Sequence, residues 1–391
     1  MSPREFFKVK REWSVIKDNI LGWYLKPYFT KLLTSDREIV YVDGFSGPGA
    51  FEDGNKGSPL IVLDLIETID NTQKCVSLIN MFFIDTCYAK ELTNRISNSS
   101  RRISVINGKF DDHIGKILSD NVFNNVFLYL DPFGIKGYNL SEIVKYSEKN
   151  RKIELLLNFN GFGFYREACR QLSIEPDITD YPPDDDEETC DLAQATASDL
   201  DKVMGSDNWR NIVSNHRSNS GGVCAERALT EEVCHHLSSK FNYVLNIPIR
   251  LKKYRVPKYR MIHATNHEDG CVIMYDNLFK RKNELSLIQS LGQYSLLEED
   301  VDNQIVTESE ILEEFEKHLK SYSTYTKFNK CLADFYISHG ITLSSSKFKT
   351  HVKLLEANHG IDVWRKSELT PKSGRKSTSL SKEIKLRKAK N

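Results

Sequence analysis

The feature that most constrains this chain is a series of short, nearly continuous apolar runs, most of which end in Asp or Asn. They cover residues 39–43 (IVYVD), 81–85 (MFFID), 103–107 (ISVIN), 126–131 (VFLYLD) and 153–159 (IELLLNF), with helix-like stretches between them. Runs of this length and composition suit strands buried on both faces. The pattern therefore predicts an open, Rossmann-like α/β sheet, mostly parallel, with helices on both faces. A sheet of that kind binds ligands beyond the carboxyl ends of its strands. Asp43, Asp85 and Asp131 are placed to converge on one such crevice. For each of them alone, capping the next helix is an equal reading; three together with a glycine turn favour the crevice.

That turn follows the first run: Asp43-Gly44-Phe45-Ser46-Gly47-Pro48-Gly49. Glycines there permit positive φ and close approach of a ligand to the backbone. The chain has no G-x-x-x-x-G-K-[ST] and no full G-x-G-x-x-G, so neither a Walker A loop nor a dinucleotide fingerprint is present. The form D-x-F-x-G-x-G after a strand resembles the first motif of class I S-adenosylmethionine (SAM) methyltransferases. That resemblance implies SAM as cofactor, with Asp43, Phe45, Gly47 and Gly49 in its loop. It also implies that Asp85 accepts the ribose hydroxyls, since one carboxylate can take both bonds of a diol. The stretch FEDGNKGSP delays the next helix, which Ser58-Pro59 opens as cap and first residue. After the third run, the resemblance sets Phe110 on the adenine face and Asp111 near its amine. Asp111 as a helix-capping residue is the competing reading.

Asp131-Pro132-Phe133-Gly134 ends the fourth run. It resembles the D/N-P-P-Y/F motif of amino-methyltransferases, most closely the D-P-F-G of tRNA N2,N2-guanosine dimethyltransferases. An exocyclic amine is a poor nucleophile; a carboxylate and a nearby carbonyl that accept its N–H bonds stabilise the charge growing on nitrogen. Pro132 fixes the turn and removes a donor, and Phe133 offers a ring for base stacking. A purely structural Asp-Pro turn is the alternative. No proline precedes a cysteine, which excludes the Pro-Cys nucleophile of cytosine-5 methyltransferases. Asn158 and Arg166 fall on the target side of the crevice, Arg166 as a phosphate ligand or as a salt-bridge residue.

Taken in order, VDGFSGPGAFEDGNKGSPL, FFID, VFLYLDPFG, LLLNFNGFG with Arg166, and YRMIHATNH resemble the three-Cys-motif partner protein (TcmP) family over roughly residues 10–276. The resemblance implies a methyltransferase-like fold and a partner protein carrying a radical-SAM-like three-cysteine motif. It implies no established substrate.

The expected organisation is a methyltransferase-like domain over 1–304, a winged helix-turn-helix over 305–365 and a basic tail over 366–391. Within the first, residues 4–33 read as one or two helices, and 174–208 as an acidic, proline-bearing surface insertion. Strands are expected at 241–249, 259–265 and 271–275, the last two joined as a hairpin by NHEDG, and 277–303 read as polar and linker-like with some helical character. Lys+Arg and Asp+Glu both total 54. Residues 366–391 nevertheless hold nine Lys and Arg against two Glu, net +7, leaving −7 elsewhere. Such asymmetry is compatible with RNA or DNA as a partner, bound by a salt-sensitive tail; a simple solubilising tail is an equal reading. The eight cysteines form no C-x-x-C pair, so free thiols are expected in a cytoplasmic protein. No apolar run is long enough for a transmembrane helix, and the lack of an H-E-x-x-H pattern leaves no metal site predicted. The expected activity is SAM-dependent N-methylation of a nucleobase. The alternatives are a non-enzymatic methyltransferase-fold partner and a DNA-binding component of a mobile-element or phage-defence operon.

Overall fold

The structure, a computed structural model, describes residues 3–34, 38–70, 78–150, 152–177, 195–216, 221–249, 257, 259–290, 307–340, 342–365 and 384–388. The chain divides into two compact units, Met1–Asn266 with Ile288–Leu297, and His267–Leu287 with Glu298–Asn391.

The first unit opens with α1 (Pro3–Phe6), α2 (Glu12–Leu32), β1 (Ile39–Asp43), α3 (Ser58–Asp70), β2 (Ile79–Asp85), α4 (Ala89–Ile96) and β3 (Arg102–Asn107). It continues with α5 (Phe110–Asp120), β4 (Asn125–Leu130), α6 (Leu140–Lys149), β5 (Ile153–Phe159) and α7 (Gly161–Gln171). It ends with α8 (Ala197–Met204), α9 (Trp209–His216), α10 (Gly221–Ser238), β6 (Tyr243–Ile249) and β7 (Tyr259–Thr265). The strands form one seven-stranded sheet in the order β3-β2-β1-β4-β5-β7-β6, parallel except for β7. All five expected runs are strands, and the Rossmann-like sheet is the one that forms.

Burial follows position in the sheet. The central strands β1 and β5 are buried at every residue, as a strand covered on both faces must be. The edge strand β3 exposes Arg102, Ser104 and Asn107. On one face α2 packs through Tyr24 and Tyr28, whose rings lie 5.6 and 5.4 Å from that of Phe127. On the other, Val40, Val42, Leu128, Leu155 and Leu157 meet apolar side chains of α5, α7 and α10. The chain leaves β1 toward β2 on one side while β4 lies on the other. The β1/β4 boundary is thus the topological switch point, where such sheets hold ligands.

Three expectations about the segments before residue 304 need correction. The segment 174–208 does not stay irregular: residues 178–194 lie outside the described residues, but 197–204 are α8. Thr196 and Asp199 form its capping box, Gly205 at φ +77° ends it, and Leu200, Val203 and Met204 are buried. No hairpin spans NHEDG. Residues 271–275 belong to α11 (Glu268–Ser290), because Cys271, Met274, Tyr275 and Leu278 bury at helical spacing rather than alternately. The same helix takes up 277–290 of the expected linker; 291–303 fall outside the described residues.

The second unit contains α11 as far as Leu287, then α12 (Glu308–Lys320), β8 (Thr326–Lys327), α13 (Phe328–His339), α14 (Ser345–Ala357), β9 (Ile361–Arg365) and β10 (Ile384–Lys388). Its core joins Phe315, Phe335, Tyr336 and Phe348, with Tyr275 stacked on Tyr336 at 3.8 Å. The strands pair in the order β8-β10-β9, both contacts antiparallel. Part of the expected tail is therefore a central strand, with Leu386 buried. A tail reading based on charge missed the alternation of Ile384 and Leu386 with Lys385 and Arg387 in the sequence.

Candidate functional site

The glycine turn lies at the carboxyl end of β1. Gly47 and Gly49 have φ of +60° and +83°, a region that a side chain resists. The turn is tied across to β2: Ser46 N–H donates to the Ile84 carbonyl at 3.0 Å, and Gly47 N–H to Asp85 Oδ2 at 3.0 Å. Asp85 Oδ1 accepts from the Cys87 and Tyr88 backbone N–H groups, both at 2.7 Å. A carboxylate has about four acceptor positions. Two of those on Asp85 thus hold its own turn, a third holds the glycine turn, and one on Oδ2 is left.

Asp43 is fully buried beneath the turn. The Ser58 hydroxyl donates to it at 2.6 Å and the Phe45 N–H at 3.2 Å. Burial pushes its carboxyl up to about 7, against the pull of those two donors. Ser58 was legible as a helix cap; here its hydroxyl holds Asp43. Phe45 turns its ring toward Phe110, with centroids 5.9 Å apart.

Across the switch point stands Asp131, directly after β4. Lys17, from α2, donates to both of its oxygens at 2.8 Å. Asn158 Nδ2, near the end of β5, donates to Oδ1 at 2.7 Å, and the Tyr129 hydroxyl to Oδ2 at 3.3 Å. The four acceptor positions are then all engaged. The Asn158 amide is buried, with its Oδ1 unpartnered. Because Nδ2 faces a carboxylate, which needs a donor, the orphan Oδ1 is fixed beside Asp131. Pro132 is buried, Gly134 has φ +111°, and the Phe133 ring meets that of Phe6 edge-on at 5.2 Å.

The N-terminal segment lies over this crevice. Phe7 covers the glycine turn so closely that a Cβ on Gly47 would sit 2.8 Å from its ring, and the ring also contacts Tyr88 at 5.1 Å. Glu52 and Asp53 N–H groups bond the carbonyls of Phe7 and Lys8. Lys10 anchors the segment through an ion pair to Asp18 and a 2.6 Å bond to the Lys56 carbonyl. Burial pushes Asp18 up to about 6, opposed by Lys10 and Lys17.

The remaining sequence candidates sit differently. Phe110 is 1% exposed and fills space under Gly44, so it packs the turn from below. Asp111 lies in the first turn of α5. The backbone N–H of Asn139 bonds it, its Oδ1 is buried without a partner, and burial pushes its carboxyl up to about 6. It thus braces the exit of the Asp131 loop. Arg166 is exposed on α7, its guanidinium 5.8 Å from the Phe162 ring. Nearby, Arg260 of β7 makes a buried two-bond pair with Glu226 of α10, at 2.7 and 2.6 Å.

Lys17 was missed by sequence reading. Its signal is a lysine at the head of a buried helical stripe, Lys17-Leu21-Tyr24-Tyr28. A lysine in such a stripe requires an ionic partner.

No family model matches the chain, and no curated protein matches it. Among solved structures, it is similar to a DUF519-family protein, LPL1258, from Legionella pneumophila, at 10% identity and a TM-score of 0.36, over 64% of this chain and 84% of that one. It is also similar to a Listeria monocytogenes protein provisionally described as a class I SAM-dependent methyltransferase, at 9% identity and 0.29. That match covers 63% of this chain and spans only 60% of the Listeria protein. A cyclopropane-fatty-acyl-phospholipid synthase-like protein from Lactobacillus casei follows at 9% and 0.25, over 63% and 90%. At these scores the likenesses add nothing to what the sheet order itself shows.

Proposed function

We propose that this chain is a SAM-dependent N-methyltransferase acting on an exocyclic amine of a nucleobase in RNA or DNA. The observation that carries the reading is the pairing, across the β1/β4 switch point, of a glycine turn tied to Asp85 with a centre made of the partly exposed Asp131 and the buried Asn158. The residues fit the cofactor: Asp85 keeps one acceptor position for a ribose hydroxyl. When bound, SAM supplies an electrophilic methyl group. The chain's own part is to hold the amine. Asn158 Oδ1 accepts one N–H and Asp131 Oδ2 the other once the long Tyr129 bond yields, so positive charge developing on nitrogen meets two acceptors. The proton lost by the methylated nitrogen would pass to the Asp131 carboxylate that already accepts its N–H.

The second unit supports a nucleic-acid partner. Its α12-β8-α13-α14-β9-β10 order suits a winged helix, and α14 exposes Lys347, Thr350 and Lys353 on one side. The segment 366–383 that joins β9 to β10 holds five Lys and Arg against two Glu. The motif series also supports kinship with the three-Cys-motif partner proteins, and with it a three-cysteine-motif protein as partner. The test uses tritiated SAM with total RNA and genomic DNA from cells lacking the gene. Wild type should transfer label and Asp131→Ala should not, with SAM binding retained; transfer by Asp131→Ala contradicts the assignment.

A second reading, a non-enzymatic methyltransferase-fold partner or a DNA-binding component led by the second unit, is favoured by specific observations. Phe7 occupies the space against Gly47, and the acceptor positions of Asp131 are engaged within the chain. Wild-type transfer to either nucleic acid would rule it out.

A further inference from the structure

We propose that Lys17 is the positioning residue of the Asp131 centre: it fixes the plane of the carboxylate and keeps one oxygen when the target amine takes the other. The proposal rests on the N-methyltransferase reading of the same site.

Lys17 is 4% exposed, so its ammonium is stripped of most water and depends on the protein for partners. It finds them at both oxygens of Asp131 and over the ring of Tyr259, 4.9 Å from the centroid. A symmetric bond to both oxygens holds the carboxylate in one plane. Asn158 holds Oδ1 from the β5 side, so the group is pinned from two elements. Of the four contacts on Asp131, the Tyr129 hydroxyl on Oδ2 is the longest, at 3.3 Å. An entering N–H displaces that bond at least cost, while the unpartnered Oδ1 of Asn158 belongs to the amide whose Nδ2 holds the other oxygen of Asp131. Lys17 then sets where the amine nitrogen stops. A displacement of about 1 Å at such a centre can cost roughly 100-fold in rate.

Lys17 also belongs to the helix that follows the N-terminal segment. Lys10 of that segment pairs with Asp18, next to Lys17. The position of α2 is thus coupled to the target centre by one side chain and to the crevice cover by its neighbour.

The test compares the full chain with Lys17→Met and Lys17→Arg. Calorimetry reads SAM binding, and single-turnover transfer from tritiated SAM to total RNA and genomic DNA reads the reaction. Lys17→Met should bind SAM as wild type does and transfer roughly 100-fold more slowly. Lys17→Arg, which can restore a two-bond pair with the carboxylate, should recover most of that rate. A purely structural role would lower SAM binding and folded content together and would not be rescued by arginine. Should Lys17→Met fail to fold, Lys17→Gln supplies the uncharged comparison, with the same expected loss. Transfer by a folded uncharged variant at the wild-type rate overturns the proposal. Wild type that binds SAM but transfers nothing overturns the underlying reaction instead, so the two failures are distinct.

Discussion

Asp43 shows how a single side chain in this site couples burial to stability. Its carboxyl lies at about 7 in the folded chain against 3.8 for an ordinary aspartate. Between about pH 4 and 7 the folded chain therefore holds a proton that the unfolded chain has released, and stability falls as pH rises through that window. In Asp43→Asn this fall should be smaller, as read by chemical denaturation at pH 4 and pH 8. A pH dependence identical to wild type would contradict the assignment. The residue types of the site were legible in advance wherever a motif names them: Asp43, Asp85 and Asp131 stand at or directly after strand ends, and Gly47 in the turn that follows β1. Partners brought in from distant sequence were not. Lys17 reaches Asp131 across 114 positions, and no local spacing encodes that meeting. Phe110 was legible as an aromatic after a strand, but whether its ring faces a ligand or the core depends on Gly44 above it.

At the scale of elements, the parallel strands were the most legible part, because burial on both faces writes itself as an unbroken apolar run. Residues 271–275 were misjudged because five consecutive apolar residues after a turn fit a short strand as well as a buried helix, and the packing of Tyr275 on Tyr336 is what decides. β10 was hidden by its charge. The N-terminal segment was legible as helix but not as a cover, since Phe6 and Phe7 find Phe133, Tyr88 and Gly47 only in three dimensions. That arrangement has a kinetic consequence. Phe7→Ala removes the ring that fills the space against Gly47, so SAM should associate faster than with wild type in stopped-flow measurements. An unchanged association rate would show that the ring does not obstruct the cofactor's approach.

At the scale of the whole molecule, the chain joins a sheet-based unit to a smaller helical one that carries its basic end. The sequence marked the second unit by its helical spacing, but not the inclusion of α11. Because β10 is the middle strand, truncation after residue 383 should do more than remove charge. It strips β8 and β9 of their shared partner and exposes the core under Leu386. The expected result is a lost or lowered unfolding transition for the second unit in calorimetry, with weaker nucleic-acid binding and a shallower salt dependence. Two unchanged transitions would contradict the structural role given to the strand. The central claim, that the crevice at the β1/β4 boundary is a SAM site, is tested most directly by calorimetric titration of the full chain with SAM, with Asp85→Ala as comparison. The account predicts saturable binding by wild type that is lost in Asp85→Ala; binding of equal strength in both, or none in wild type, would contradict it.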